Sequence, residues 1–272
     1  MSLVINTNVA SLNAQRSLAK SGAELSTAME RLSSGKKINS AADDAAGFAI
    51  AERMTAQVRG LNMAAKNASD GLSMLATIEN ATNDVTDMLH RIRELAVQAA
   101  NDTNGSTDRG YLQTEVTALI AEIDRVSTDT KYNGTAVLDG TFTSKKLQVG
   151  TEGTQSITFS IDDVGVTALG VAAVTVSTQA GAAAALTTIS TAIEAVASDR
   201  ATYGALQNRL EYTVSNLMNV SEFTQAARSR IEDADFAAES ARLSKAQVLQ
   251  QTGTAMLAQA NASQQLALSL FR

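Results

Sequence analysis

The chain has no cysteine, no proline and no tryptophan, one histidine, and only 4% aromatic residues among 272. Each absence removes a class of protein. Without cysteine there is no disulfide framework, no thiol nucleophile and no thiolate metal site. With His90 alone, the two-histidine zinc motif is impossible, and a serine-histidine-acid triad would hang on one residue inside a regular helical stretch. No glycine loop that could cradle phosphate is present. The paired acids Asp43/Asp44 and Asp162/Asp163 read as helix N-terminal charges and turn residues, so no catalytic, cofactor-binding or metal-binding residue is expected. The missing proline, with Ala, Leu, Gln and Glu throughout, favours long uninterrupted helices over a loop-rich enzyme fold, and the scarcity of aromatics implies a thin aliphatic core.

Charge is missing locally as well. The net charge of -6 disfavours a nucleic-acid partner, which needs a basic surface. Yet residues 1–15 and the 26 residues 246–271 carry no Asp, Glu, Lys or Arg at all. The second stretch, AQVLQQTGTAMLAQANASQQLALSLF, is no membrane span, because eleven of its 26 residues are Gln, Asn, Ser or Thr, and no membrane insertion is expected. The first 20 residues also lack the apolar core of a secretory signal peptide.

What the ends do contain is helical periodicity. Ala246, Leu249, Gly253, Met256, Ala260, Ser263, Ala267 and Leu270 form one seam, and Ser11, Ala14, Leu18, Gly22, Leu25, Met29 and Leu32 form another that stops at Ser33-Ser34-Gly35. Two such helices can pair as an antiparallel coiled coil. Their small side chains and uncharged backs call for neighbours on several sides, since so little apolar area cannot offset chain entropy alone. A dimer would cover only one face.

Between the ends, Ser40 and Asp43 read as a capping box opening a helix that runs to about Ala100, with its seam at Gly71, Leu75, Ile78, Thr82, Val85, Leu89, Ile92, Ala96 and Ala99. Residues 101–108 read as a turn. Leu112, Val116, Leu119, Ile123 and Val126 mark a third helix. From Lys131 the period changes: Asn133-Gly134 and Asp139-Gly140 are turn pairs, and alternation about 151–154 predicts a hairpin. Helix returns near Ala185, with Leu186, Ile189, Ile193 and Val196, and continues to about Ile231; Asp233-Ala-Asp235 then separates it from the last helix. The layout is nearly palindromic. The expected fold is mainly α, an elongated antiparallel bundle with paired terminal helices and a small β-hairpin region at 131–185.

Read in that order, INTNVASLNAQRSL (residues 5–18), RLSSGKKINSAADDAAGFAIAERM (31–54), NASDGLSMLATIE (67–79) and ARSRIEDADFAAESARLSKAQVLQQTGTAMLAQAN (227–261), with the closing LSLFR, resemble bacterial flagellin. The resemblance covers roughly 1–140 and 186–272 and leaves too few residues in the centre for outer domains, so it describes a short form. It implies an inner terminal-helix domain, 1–40 with 233–272, and a rod domain, 41–232. It implies a structural subunit that self-assembles into the extracellular flagellar filament, leaves the cell unfolded by type III export, and meets an export chaperone and a cap. Filament-core packing is then expected at Leu18, Gly22, Leu25, Met29, Leu32, Leu249, Gly253, Met256, Ala260 and Leu270.

The segment from His90 to Gln98 carries a second implication. As structure, Leu89, Ile92 and Ala96 face inward while Arg91, Arg93 and Glu94 lie outside, with Asp87 as an i,i+4 partner for Arg91. By resemblance, Arg91, Arg93, Glu94, Leu95 and Glu115 match the patch through which a vertebrate Toll-like receptor binds flagellin, with His90 where the family usually has Gln. The nearest alternatives are a hook-filament junction adaptor, which shares the terminal helices, and a cytosolic coiled-coil binding module.

Overall fold

The computed structural model describes the backbone of residues 7–269 and the side chains of residues 7–263. Its described helices are α1 (Val9–Ser34), α2 (Ala45–Ala100), α3 (Ser106–Asp129), α4 (Gln179–Glu232) and α5 (Phe236–Ser269). Two antiparallel hairpins lie between α3 and α4: β1 (Lys131–Tyr132) with β2 (Thr135–Ala136), and β3 (Lys145–Gln148) with β4 (Ser156–Phe159). The mainly helical fold with a central β region and paired terminal helices, α1 against α5, is the one the periodicity predicts. At 1.5 Å per residue, the 56 residues of α2 extend about 84 Å.

The helix starts differ in detail from the reading of the sequence. Asp43 does accept the Ser40 N–H at 2.9 Å, but it also takes the Asn39 N–H at 3.1 Å and so closes a turn. These backbone donors hold the Asp43 carboxyl below its ordinary pKa. The cap of α2 is the next residue: Asp44 accepts the Gly47 N–H at 2.9 Å, and the helix begins at Ala45. Likewise α4 starts at Gln179, six residues before Ala185, because the Thr178 hydroxyl caps it by accepting the Gly181 N–H at 3.1 Å. At α5 the cap is Asp235, which takes the Ala237 and Ala238 N–H groups.

The chain divides into two compact units, Met1–Gln57 with Phe223–Arg272, and Val58–Glu222, with α2 and α4 contributing to both. In the second unit, all nine residues of the α2 seam, Gly71 to Ala99, are buried. They meet α4 in antiparallel register: Leu61 and Ala64 cluster with Leu217, Leu75 with Leu210, and Ile92 with Ala185 and Ile189. Val116 and Ile123 bring α3 into the same core. The wider hairpin packs Leu147 and Ile157, which face each other across the ladder, against α2 beside Gly71. A Cβ on Gly71 would lie 2.7 Å from the Leu147 side chain, so the missing side chain there lets the strand approach the helix closely.

Residues 164–193 carry no charge, and α4 is the one described helix long and apolar enough to cross a membrane by composition. Its Ala182, Ala185, Ile189, Ala192 and Val196 are nevertheless buried in the core of this unit, together with Leu169, Val171 and Val176 of the connecting loop. Gln113 of α3 holds that loop, accepting the Val176 N–H at 2.6 Å and the Thr175 hydroxyl at 3.2 Å.

Where β4 leaves for the loop, the Asp162 N–H donates to the Tyr203 hydroxyl at 3.1 Å. Burial pushes the Tyr203 pKa up to about 12. Burial also raises the Asp199 carboxyl, and the neighbouring Asp162 charge adds to the effect. A carboxyl whose pKa is raised by folding binds its proton more tightly in the folded state. Its stabilisation is complete below the ordinary carboxyl value and is lost as pH rises through the folded value. Asp199→Asn is therefore expected to raise the urea midpoint at neutral pH and to flatten its pH dependence above about pH 4. A constant offset from wild type across that range would contradict this account.

Candidate functional site

The α1–α5 pair is built from small residues. On α1 the line facing α5 runs Ser11, Ala14, Leu18, Ser21, Leu25, Ala28, Leu32, alternating steps of three and four, and its only fully buried members are Ser11, Ser21 and Ala28. Leu18, Leu25 and Leu32 are half-buried, as expected of a seam. Gly22 and Met29 are displaced from it: nothing lies within 4 Å of a Cβ placed on Gly22, and Met29 is 56% exposed. On α5 the line runs Glu239, Leu243, Ala246, Gly253, Leu257, Ala260. Gly253 and Ala260 are on it, whereas Leu249 and Met256 are exposed. Leu270 falls outside the described residues. The reason for the shift is steric. A sequence reading prefers the larger apolar residue at each step, but the helices approach most closely where the side chains are smallest. A Cβ on Gly253 would lie 2.9 Å from Leu18 Cδ1.

Polar contacts fix the register. The Asn8 side chain accepts the Ser11 N–H, capping α1, and donates to the Ala260 carbonyl of α5 at 3.0 Å. Toward the other end Glu239, only 7% exposed at its side chain, binds Arg31 of α1 at 3.3 Å and Arg242 of its own helix at 3.1 Å. Beyond it the two linkers are joined by backbone bonds. Lys37 donates to the Glu232 carbonyl at 2.7 Å and Ala234 to the Gly35 carbonyl at 2.9 Å, while the Lys36 ammonium pairs with Glu232. Gly35 turns the chain there with φ +71°, a left-handed C-cap. Glu239 and Arg31 went unnoticed in the sequence, though a signal existed: one heptad back from Ala246 is Glu239, an acid on a packing line that needs a cation opposite.

Outside the shared line this pair leaves large apolar side chains in solvent: Val9, Leu12 and Met29 on α1, and Phe236, Val248, Leu249 and Met256 on α5 are all exposed. Residues 246–263, which include Val248, Leu249 and Met256, carry no charge to solvate their part of that surface.

The second group of residues lies on α2 and α3. Arg91, Arg93, Glu94 and Glu115 are exposed, and Arg91 bridges the helices with 2.8 Å to Glu115 and 3.0 Å to Glu94. These carboxylates, not Asp87, are its partners, and they raise the Arg91 pKa further. Leu95 separates from the group: it is 1% exposed, inside the core with Leu89 and Ile92, and takes no part in a surface patch. Its place at the surface is filled by His90 and Val97, which with Arg93 and Glu94 line a shallow hollow of about 420 Å³. Among the described residues no cluster of His, Asp and Glu could hold a metal ion.

A family model described as the bacterial flagellin N-terminal helical region matches residues 5–143, and one described as the bacterial flagellin C-terminal helical region matches residues 186–271. The chain is 42% identical to the flagellin of Halalkalibacterium halodurans over 272 residues, covering 99% of this chain and 100% of that protein. It is 41% identical to the flagellin of Bacillus subtilis, covering 98% and 99%. Among solved structures, the crystal structure of Bacillus cereus flagellin aligns with TM-score 0.52 at 31% identity over 56% of this chain and 88% of that one. A putative flagellar hook-associated protein from Vibrio parahaemolyticus aligns with TM-score 0.59 at 16% identity over 70% of this chain and 100% of that one, a likeness of fold alone.

Because its ion pairs are exposed, Arg91→Ala is expected to leave the urea midpoint close to that of wild type. Chemical denaturation followed by circular dichroism tests this, and a clear fall in the midpoint would mean that Arg91 is part of the scaffold.

Proposed function

The chain belongs to the bacterial flagellin family, as a structural subunit of the extracellular flagellar filament and not an enzyme, and we propose from this that α1 and α5 form the filament's inner tube. One observation carries the proposal. Apart from Glu239, the pair fully buries only Ser and Ala within one copy, while Met29, Leu249 and Met256 stay exposed, the last two in a long charge-free stretch of α5. Burial of Ala-sized groups contributes little, whereas covering a Leu or Met side chain contributes about 1.5–3 kcal/mol. Neighbouring copies supply that cover, and the pair becomes stable as a wall. Residues 1–40 with 233–272 make the inner domain and 41–232 the surrounding rod.

The same reading includes export in the unfolded state by the flagellar type III route, in the company of an export chaperone and a filament cap. A chain without cysteine or proline suits it, since neither disulfide exchange nor proline isomerisation delays refolding. The hook-filament junction adaptor fits less well, because flagellins match this chain at about 40% identity over essentially its whole length.

Seeded with filament fragments, full-length protein should elongate into long filaments seen by electron microscopy, and chains lacking 1–39 or 246–272 should not. Elongation of either truncation at the full-length rate would remove the terminal helices from the tube. For the Arg91 patch, we assign recognition by a flagellin-binding Toll-like receptor to Arg91, Arg93, Glu94 and Glu115, with Leu95 acting only by holding the helix in place. Monomer should activate a receptor reporter, and Arg91→Ala should reduce its potency by about 30-fold or more, the cost of removing one hydrogen-bonded interfacial charge. A silent wild-type monomer beside an active control agonist would refute the assignment.

A further inference from the structure

Between α1 and α5 runs a groove of about 520 Å³ whose walls include Lys20, Glu24 and Arg31 from one helix and Glu239, Arg242 and Lys245 from the other. It holds four cations against two anions in a chain whose net charge is -6. Glu239 is already engaged by Arg31 and Arg242. Lys20 and Lys245 enter no ion pair among the described residues, and Arg31 Nε is buried without a hydrogen-bond acceptor. A buried donor left unpaired is unfavourable, so the groove is short of acceptors.

The groove also continues into something apolar. Arg242, Leu249 and Met256 stand seven residues apart on α5, hence on one flank, and the last two are exposed. A matching surface must therefore offer a carboxylate beside exposed apolar side chains. Of the acids on α1 and α5, Glu24 and Glu239 line the groove itself, which leaves Glu30, exposed, in no ion pair among the described residues, and adjacent to the exposed Met29. Glu30 lies about 100° and Met29 about 200° around the helix from Arg31, so the acid stands on the outer side of α1, beside the groove and not in it. Socket and plug on different faces of one molecule make a heterologous contact, which repeats without closing and generates an open filament.

We propose that the groove of Lys20, Arg31, Arg242 and Lys245 receives Glu30 of a second copy of this chain, an inference that rests on the filament reading above. The contact gives lateral packing of the terminal helices its register, and Leu249 and Met256 supply the apolar cover around it. Lys20 and Lys245 are the residues to change, because neither takes part in the internal Arg31–Glu239–Arg242 network.

The test compares critical concentrations for seeded elongation of wild type, Lys20→Glu/Lys245→Glu, Glu30→Lys, and the chain carrying all three substitutions. Both partial variants should need roughly tenfold more protein or worse, as like charges meet. The triple variant should return to near wild type, and the two partial variants mixed in equal amounts should co-polymerise. Variants that merely misfold would not restore one another, so rescue separates contact from folding. If both partial variants elongate normally, or both fail and the triple variant stays defective, the proposed contact is wrong. If wild type itself does not elongate, the filament reading fails instead.

Discussion

Close approach between two helices with almost no bulk at their interface governs this molecule. Where α2 and α4 meet, Leu75, Ile78, Leu89, Ile92, Ile189 and Leu210 are fully buried, and a self-sufficient core results. Where α1 and α5 meet, the buried residues of α1 are two serines and an alanine. The first interface holds up without help. The second is marginal by itself, since ordering each residue costs about 1–2 kcal/mol in backbone entropy and small side chains return little of it. The large side chains of the terminal helices have been placed on the outside instead. The chain thus divides its apolar area between a part spent on folding and a part kept for association.

That division explains why so little of the chain resembles a catalyst. A flagellin has no reaction to run, and its polar side chains work on geometry: Asn8 couples the α1 cap to α5, Glu239 ties two helices at one heptad position, and Gln113 closes the loop that follows the hairpins. Each is a single residue at the edge of a repetitive helical pattern.

Most of the helical architecture was legible in the sequence because its large buried residues obey a strict period. All nine seam positions on α2 are buried, and the turn pair Asn133-Gly134 sits where β1 meets β2, with φ +48° and +81° at the two residues. Legibility failed where size and burial part company. By type Gly22, Met29, Leu249 and Met256 read as internal seam positions; the contact is made one position away from three of them, by Ser21, Ala28 and Leu257, and no neighbour of Leu249 is buried. Leu95, assigned to a surface by resemblance, is core by periodicity, three residues after Ile92. The start of α4 was missed because the period fades among alanines, while the signal that marks it is a single capping hydroxyl on Thr178.

The nested pairing has a kinetic side. Asn8 reaches a carbonyl 252 residues away in sequence, and the α1–α5 pair joins the first described helix to the last. Such a chain has high contact order, and its loops must close before native contacts reward them. Whichever end of the chain becomes available first, the partner of that end is the last segment to arrive. The topology is therefore its own delay: a terminal helix whose mate lies at the opposite end has nothing to pair with until the whole polypeptide is present.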